Sequence, residues 1–107
     1  MNWKVLYTVV KRIPRGHVIT YGQLAKATKV PGGARAAGRA MAACPSGSGI
    51  PWHRVVGAGG RLLIREPYAG LQRKLLESEG LVIGEKRIQN FAGCQWQPGK
   101  NKANKKK

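Results

Sequence analysis

The stretch from Thr20 to Ala43 constrains the fold of this chain more than any other part of the sequence. Thr20 with Gln23 three residues later is a capping box, which predicts that a helix begins here and runs over "YGQLAKAT". The segment "KVPGG" then predicts a turn, and "ARAAGRAMAA" predicts a second helix that stops near Pro45. Two short helices joined by a tight, glycine-containing turn are typical of a helix-turn-helix.

The flanking segments predict the elements that pack around this unit. An N-terminal helix, ended by Pro14 and Gly16, is indicated by apolar residues at helical spacing: Trp3, Leu6, Tyr7 and Val10. Two apolar runs around a glycine-rich turn in "RVVGAGGRLLI" predict a β-hairpin, which would form a wing. A fourth helix over "YAGLQRKLLESEG" would place its leucines on one side: Leu71, Leu75 and Leu76. The expected fold class is mainly α with a small β-hairpin, a winged helix-turn-helix.

The charge of the chain indicates the class of partner. Lys and Arg number 20 against 4 Asp and Glu, a formal net charge of +16. Five lysines lie in the final "KNKANKKK", and removing them still leaves +11, so the preceding domain is itself basic. An excess of this size costs stability through self-repulsion, which favours binding to a polyanion over a merely solubilising surface. We expect residues 1–98 to form one DNA-binding domain and residues 99–107 a disordered basic tail.

Few features suggest another kind of site or a membrane. Cys44 and Cys94 form no C-x-x-C pattern, so an intracellular, reducing environment and no disulfide are expected. The N-terminal segment resembles neither a signal peptide nor a membrane span. A metal site built from these cysteines with His17 and His53 is disfavoured by their scattered spacing. We therefore expect no metal, no cofactor and no membrane partner, and a monomer.

The second helix of the predicted helix-turn-helix is unusual for a reader of base sequence. Arg35 and Arg39 share a face, and nearly all other residues of the helix are Ala or Gly. Such a helix carries few groups for reading base edges, but it can approach DNA closely, even at the minor groove, which is about 6 Å wide. The alternative is that the alanines pack in the core and the arginines contact phosphates or solvent.

Several motifs occur together in an order that identifies a family. The segments "VITYGQLA", "GARAAGRAM", "IPWHRVV", "YAG" and "LLESEG" resemble the DNA-binding domain of O6-alkylguanine-DNA alkyltransferases. That family has Pro-Cys-His-Arg where this chain has Pro51 to Arg54, and its cysteine accepts the alkyl group. With Trp52 at the cysteine position, and with "QRKLLESEGLVI" and the late "WQP", the chain is similar to the non-enzymatic alkyltransferase-like members. The resemblance covers roughly residues 2 to 98.

The tryptophan determines the expected chemistry. Alkyl transfer requires a thiolate activated by a nearby base, whereas an indole has one N–H donor and no available lone pair for attack. We therefore expect binding of alkylguanine without catalysis. An alternative is that Trp52 is simply part of the core. The resemblance implies a lesion pocket that includes Tyr21, Arg65 and Tyr68 beside Trp52, with Arg65 contacting the flipped base.

The resemblance also implies roles in DNA binding and in the former catalytic relay. Tyr21 would turn the phosphate of the flipped nucleotide, and Arg35 would fill the space that the base leaves. Arg39 and Ala36 of the same helix are also predicted to lie at the DNA.

In the family, a histidine activates the acceptor cysteine and a glutamate orients the histidine. His53 and Glu79 match that pair and are expected to persist as a buried, hydrogen-bonded structural pair. Arg54 would tie the strand to nearby carbonyl groups. The chain departs from the family at Cys44, where asparagine usually braces the active-site loop. Neither Cys44 nor Cys94 has the sequence context of an acceptor.

The expected function is therefore recognition of O6-alkylguanine in double-stranded DNA by base flipping, which flags the lesion for nucleotide excision repair proteins and blocks alkyltransferase. One alternative is a winged-helix transcription regulator of unmodified DNA, and another is an active suicide alkyltransferase. The expected location is a bacterial cytoplasm (nucleoid), or the nucleus if the protein is eukaryotic.

Overall fold

A computed structural model describes residues 3–44, 48–64 and 68–98. Within these ranges, short 3-10 turns cover Trp52–Arg54 and Ala58–Gly60. The helices are α1 (Lys4–Val10), α2 (Tyr21–Thr28), α3 (Gly33–Ala42), α4 (Tyr68–Ser78) and α5 (Phe91–Cys94), and the strands are β1 (Ile19–Thr20) and β2 (Val55–Val56). None of the helices in this part of the chain has the length and apolar character needed to cross a membrane.

The helix-turn-helix forms where the sequence predicts it, from α2 and α3. Thr20 Oγ1 accepts a hydrogen bond from the Gln23 backbone N–H at 3.0 Å, which caps the start of α2. The helix ends at Lys29 in a left-handed conformation (φ 57°), and Gly32 (φ 95°) redirects the chain into α3. The predicted first helix is also present, with Leu6 and Val10 fully buried.

The expected hairpin over residues 54–64 is wrong. β2 pairs instead with β1, and the two strands are parallel, with Ile19 opposite Val55 and Thr20 opposite Val56. The reason is burial, because Val55 and Val56 are both fully buried, and a strand covered on both faces favours parallel pairing inside the core over an exposed wing. Residues 60–62 turn away after β2 and pair with residues 86–88 instead.

The two-stranded sheet separates two groups of buried side chains. Successive strand residues point to opposite faces, so Ile19 and Val55 join one group while Val18 and Val56 join the other. The first group belongs to the helix-turn-helix side: Leu6, Val10, Ile13, Leu24, Ala25, Val30, Ala36, Ala37, Ala40, Met41 and Trp96. The second belongs to the C-terminal side: Leu76, Ile83, Ile88 and Cys94.

The C-terminal elements differ in two details from the sequence prediction. Leu76 of α4 is fully buried, but Leu71 is 45% exposed and Gln72 takes the inward position. The short helix α5 lies in a segment whose sequence has no regular spacing of apolar residues. It is held by the backbone of Val18, which donates to the Cys94 carbonyl at 2.9 Å and accepts from the Trp96 N–H at 2.7 Å.

Candidate nucleic-acid interface

The outer face of α3 presents two cations. Arg35 and Arg39 are exposed one turn apart, and neither guanidinium makes a hydrogen bond or ion pair with another described residue. Ala36, by contrast, is only 6% exposed and packs in the core with Ala37 and Ala40. The side chain of Ala36 therefore lies on the inner face of the helix, and its predicted place at the DNA stays a prediction. The small residues of α3 thus serve packing, while its arginines face outward.

Trp52 lies at the start of the turn that leads into β2. Its indole is half-buried against the helix-turn-helix core. The ring meets Tyr68 edge-on, with centroids 6.3 Å apart at an interplanar angle of 86°, and meets His53 at 6.1 Å and 88°. Tyr68 itself is 57% exposed at the first position of α4. The two aromatic rings therefore form a partly open apolar wall between α4 and the helix-turn-helix core.

Tyr21 lies on the same core as Trp52. It is the first residue of α2, directly after β1, and it is half-buried. Burial raises the pKa of its hydroxyl above the ordinary value, so at neutral pH the group keeps its proton and can donate to an anion. Arg65, the remaining residue predicted for the lesion pocket, lies outside the described residues.

Glu79 is the centre of a hydrogen-bonded junction beneath Trp52. His53 Nε2 lies 2.8 Å from Glu79 Oε2, and Arg54 donates to the same carboxylate through Nη2 at 2.7 Å and through Nε at 3.1 Å. The backbone N–H of Gly16 donates to Oε1 at 3.0 Å, and Arg54 Nη1 donates to the Ile13 carbonyl at 2.9 Å. Three separate parts of the chain are therefore joined by one carboxylate.

The protonation states at this junction follow from its geometry. Burial alone would raise the pKa of Glu79, but hydrogen bonds from Arg54, His53 and Gly16 outweigh it and lower the pKa to about 2. Burial is the main cause that lowers the pKa of His53, so the imidazole is neutral at pH 7. Because an ionised carboxylate only accepts, the single His53 proton lies on Nε2, and Nδ1 is left as an acceptor.

Comparison with known proteins agrees with this geometry. The family model described as "6-O-methylguanine DNA methyltransferase, DNA binding domain" matches residues 2–81. The DNA base-flipping protein of Vibrio parahaemolyticus is 36% identical over 93 residues, which cover 87% of this chain and 93% of that protein. Alkyltransferase-like protein 1 of Schizosaccharomyces pombe is 37% identical over 100 residues, covering 87% and 92%. The chain belongs to the alkyltransferase-like members of this family.

Solved structures of this family match the fold of the chain. Crystal structures of S. pombe Atl1 include a complex with damaged DNA that contains O6-carboxymethylguanine, and this one matches with a TM-score of 0.80 at 33% identity. The match covers 90% of this chain and 94% of that one. The Mycobacterium tuberculosis OGT in complex with DNA matches with a TM-score of 0.59 at 40% identity, covering 72% and 45%. The mainly helical fold class and the family resemblance are thereby confirmed.

The alkyltransferase-like site contains a residue that the sequence analysis missed. Gln72 of α4 is 1% exposed, and its Nε2 donates to the carbonyls of His53 at 3.1 Å and Val55 at 3.2 Å. Its Oε1 is buried without a hydrogen-bond partner among the described residues. Gln72 thus ties the turn that bears Trp52 to α4. Gln72 lies four residues before the buried Leu76 and so on the same face of the helix, and this spacing was the sequence signal for its burial.

The two cysteines of the alkyltransferase-like chain are poorly suited to nucleophilic attack. Burial raises the pKa of the Cys44 thiol, an effect only partly offset by a hydrogen bond with Ser48. Burial also raises the pKa of Cys94, which is 7% exposed and donates to the Phe91 carbonyl at 3.5 Å. Both groups therefore favour the unreactive thiol. In the described ranges, no three His, Cys, Asp or Glu side chains are placed to hold a metal ion.

Proposed function

We propose that this alkyltransferase-like chain recognises O6-alkylguanine in duplex DNA, flips the nucleotide out of the helix and holds it without removing the alkyl group. The observation that carries the proposal is the combination at residues 52–54. A hydrogen-bonded His53–Glu79 pair lies beside an indole, at the position where the family motif has its acceptor cysteine. The surroundings for orienting a base remain, and the attacking group is absent.

Each residue predicted for the site has a part in the proposed complex. Arg35 enters the stack where the base leaves, and Tyr21 donates to the phosphate of the flipped nucleotide. Trp52 and Tyr68 pack against the base and its alkyl group, and Arg65 contacts the base. Flipping costs a few kcal/mol and is cheapest for a poorly paired base, so O6-alkylguanine is favoured before any contact with the pocket.

The names of the relatives support this proposal. One is a DNA base-flipping protein, and the S. pombe protein has been solved with a damaged guanine in DNA. We further propose that the bound complex blocks alkyltransferase and flags the lesion for nucleotide excision repair proteins. The protein would act as a monomer with residues 99–107 as a basic tail.

Three measurements test the proposal. The affinity for one duplex is compared with and without a single O6-methylguanine, and the protein is weighed by mass spectrometry after incubation with methylated DNA. We expect tighter binding to the lesion, an unchanged mass, and slower transfer when the protein is added to a true alkyltransferase reaction. Equal affinity for both duplexes would favour a transcription regulator. A gain of one alkyl group on Cys44 or Cys94 would establish a suicide alkyltransferase.

A further inference from the structure

A second positively charged surface lies on a small antiparallel ladder outside the helix-turn-helix. Arg61 pairs directly opposite Arg87, the Leu62 N–H donates to the Lys86 carbonyl at 2.9 Å, and the Ile88 N–H donates to the Gly60 carbonyl at 3.0 Å. Arg61, Lys86 and Arg87 are all exposed, and we call these three residues the basic ladder. They line an open depression together with neighbouring residues of the two segments.

The basic ladder carries charge that the described part of the chain does not neutralise. None of its three side chains makes a hydrogen bond or ion pair with another described residue. Glu85 is exposed in the same turn, so the surface keeps two net positive charges. Like charges placed directly opposite on a ladder are destabilising, as at Arg61 and Arg87. Binding of an anion would relieve this repulsion.

The backbone beneath the basic ladder is held in place before any ligand binds. Arg73 of α4 donates to three successive carbonyl groups, those of Ile83 at 3.4 Å and of Gly84 and Glu85 at 2.8 Å each. The turn is closed by the Gly84 N–H, which donates to the Arg87 carbonyl at 2.7 Å. A preorganised surface loses less entropy on binding than a mobile one.

The register of the sheet places this surface and Tyr21 at the same end of the two strands. Thr20 and Val56 are partners in parallel strands, so the residues that follow them, Tyr21 and Gly57, leave the sheet at the same end of the strands. The Gly57 N–H donates to the Arg61 carbonyl at 2.7 Å, which brings the ladder back to that end of the strands. Tyr21, whose side chain is proposed to meet the phosphate of the flipped nucleotide, and the basic ladder therefore both follow the same end of the two strands.

We propose that the basic ladder binds the phosphodiester backbone of duplex DNA beside the nucleotide held at Tyr21, which extends the contact beyond α3. This inference rests on the proposed function, because it takes DNA as the ligand at that end of the strands. The contact is to phosphate and carries no information on the base. It therefore strengthens binding to lesion and plain duplex alike.

The first test is the salt dependence of DNA affinity in Arg61→Ala and Arg87→Ala, with Lys74→Ala as the matched control. Lys74 is an exposed cation of α4 outside the ladder. Each ladder variant should lower the slope of log affinity against log salt by about 0.9, because one phosphate fewer releases its counterions. The change should be equal for plain and O6-methylguanine duplexes. Arg87→Lys should keep the slope, and Lys74→Ala should not change it.

The second test locates the contact with duplexes that carry one neutral methylphosphonate at a time. At one phosphate outside the α3 footprint, the substitution should weaken DNA binding by the unaltered protein and by Lys74→Ala. It should not weaken binding by Arg87→Ala, because that variant has already lost the same contact. Unchanged slopes, or the absence of any such phosphate, would overturn the inference. Failure of the proposed function is separate, because it would appear as a missing lesion preference in the unaltered protein.

Discussion

Arg35 and Arg39 carry the same charge on the same face of α3, and they differ in their place along the helix. Arg35 lies in the first turn, close to the Gly32 bend, whereas Arg39 lies in the last turn. Both side chains are exposed. A helix that binds DNA only by charge would use the two residues equally. A helix that replaces a flipped base would use one of them as a wedge.

We expect Arg35→Ala to lose most of the lesion preference, because the unstacking cost of a few kcal/mol is then unopposed. Arg39→Ala, the matched control, should keep that preference at reduced affinity and lower the salt slope by about one unit. The measurement is the fluorescence of 2-aminopurine placed beside the O6-methylguanine, which brightens when stacking is broken. Equal losses in both variants, or no brightening with the unaltered protein, would contradict base flipping.

The neighbours of single residues were only partly predictable from the sequence. The resemblance brought His53 and Glu79 together, although they are 26 positions apart. It gave no role to Gln72, whose importance depends on two carbonyl groups that only the folded chain places next to α4. The burial of Ala36 was not predictable, because a run of alanines does not reveal which of them face inward.

At the scale of elements, local signals were sufficient for the helices and insufficient for the sheet. The Thr20–Gln23 cap specifies α2 within four residues. The strands are two residues long, and their partners are about 36 positions apart, so the apolar run at Val55 carried no information on which segment it pairs with. A glycine-rich turn after β2 favoured a hairpin locally, but burial on both faces of the strand outweighed that preference.

The hydrogen-bonded junction at Glu79 joins the end of α4, the turn at residues 52–54 and residues 13–16, and it should make stability depend on pH. The folded-state pKa values of His53 and Glu79 are both lowered, so both groups stabilise the fold above their unfolded pKa values and this stabilisation is lost as the pH falls. The loss should begin near pH 6.5 through His53 and continue from about 4.5 towards about 2 through Glu79, whose share is roughly 3 kcal/mol.

Urea unfolding between pH 7 and pH 3 measures this dependence. Glu77→Gln is the matched control, because Glu77 is half-exposed and pairs with Arg73 only at 3.8 Å, so its removal should leave the curve unchanged. Glu79→Gln should remove the acidic part of the curve and lower the free energy of unfolding at pH 7, since it leaves Arg54 partly buried without its counter-charge. A free energy of unfolding that stayed constant from pH 7 to pH 3 would contradict the assigned protonation states.

At the scale of the whole molecule, the net charge of +16 is divided between the folded domain and its terminal lysines. Deleting residues 100–107 should weaken binding to lesion and plain duplexes by the same factor and reduce the salt slope, because a basic tail supplies charge without recognition. Titration of both duplexes at several salt concentrations checks this. A truncated chain that lost only its lesion preference would show that the tail takes part in recognition.

The pairing of Val18 with both Cys94 and Trp96 has a consequence for synthesis on the ribosome. The helix-turn-helix is a local structure, but the strand that leads into it is completed by residues nearly eighty positions later, and the Trp96 side chain fills its core. Non-local pairing of this kind forms late in folding. A nascent chain therefore displays its cationic α3 before the domain beneath it is complete, and it becomes a finished DNA-binding protein only when the last part of that domain has left the exit tunnel.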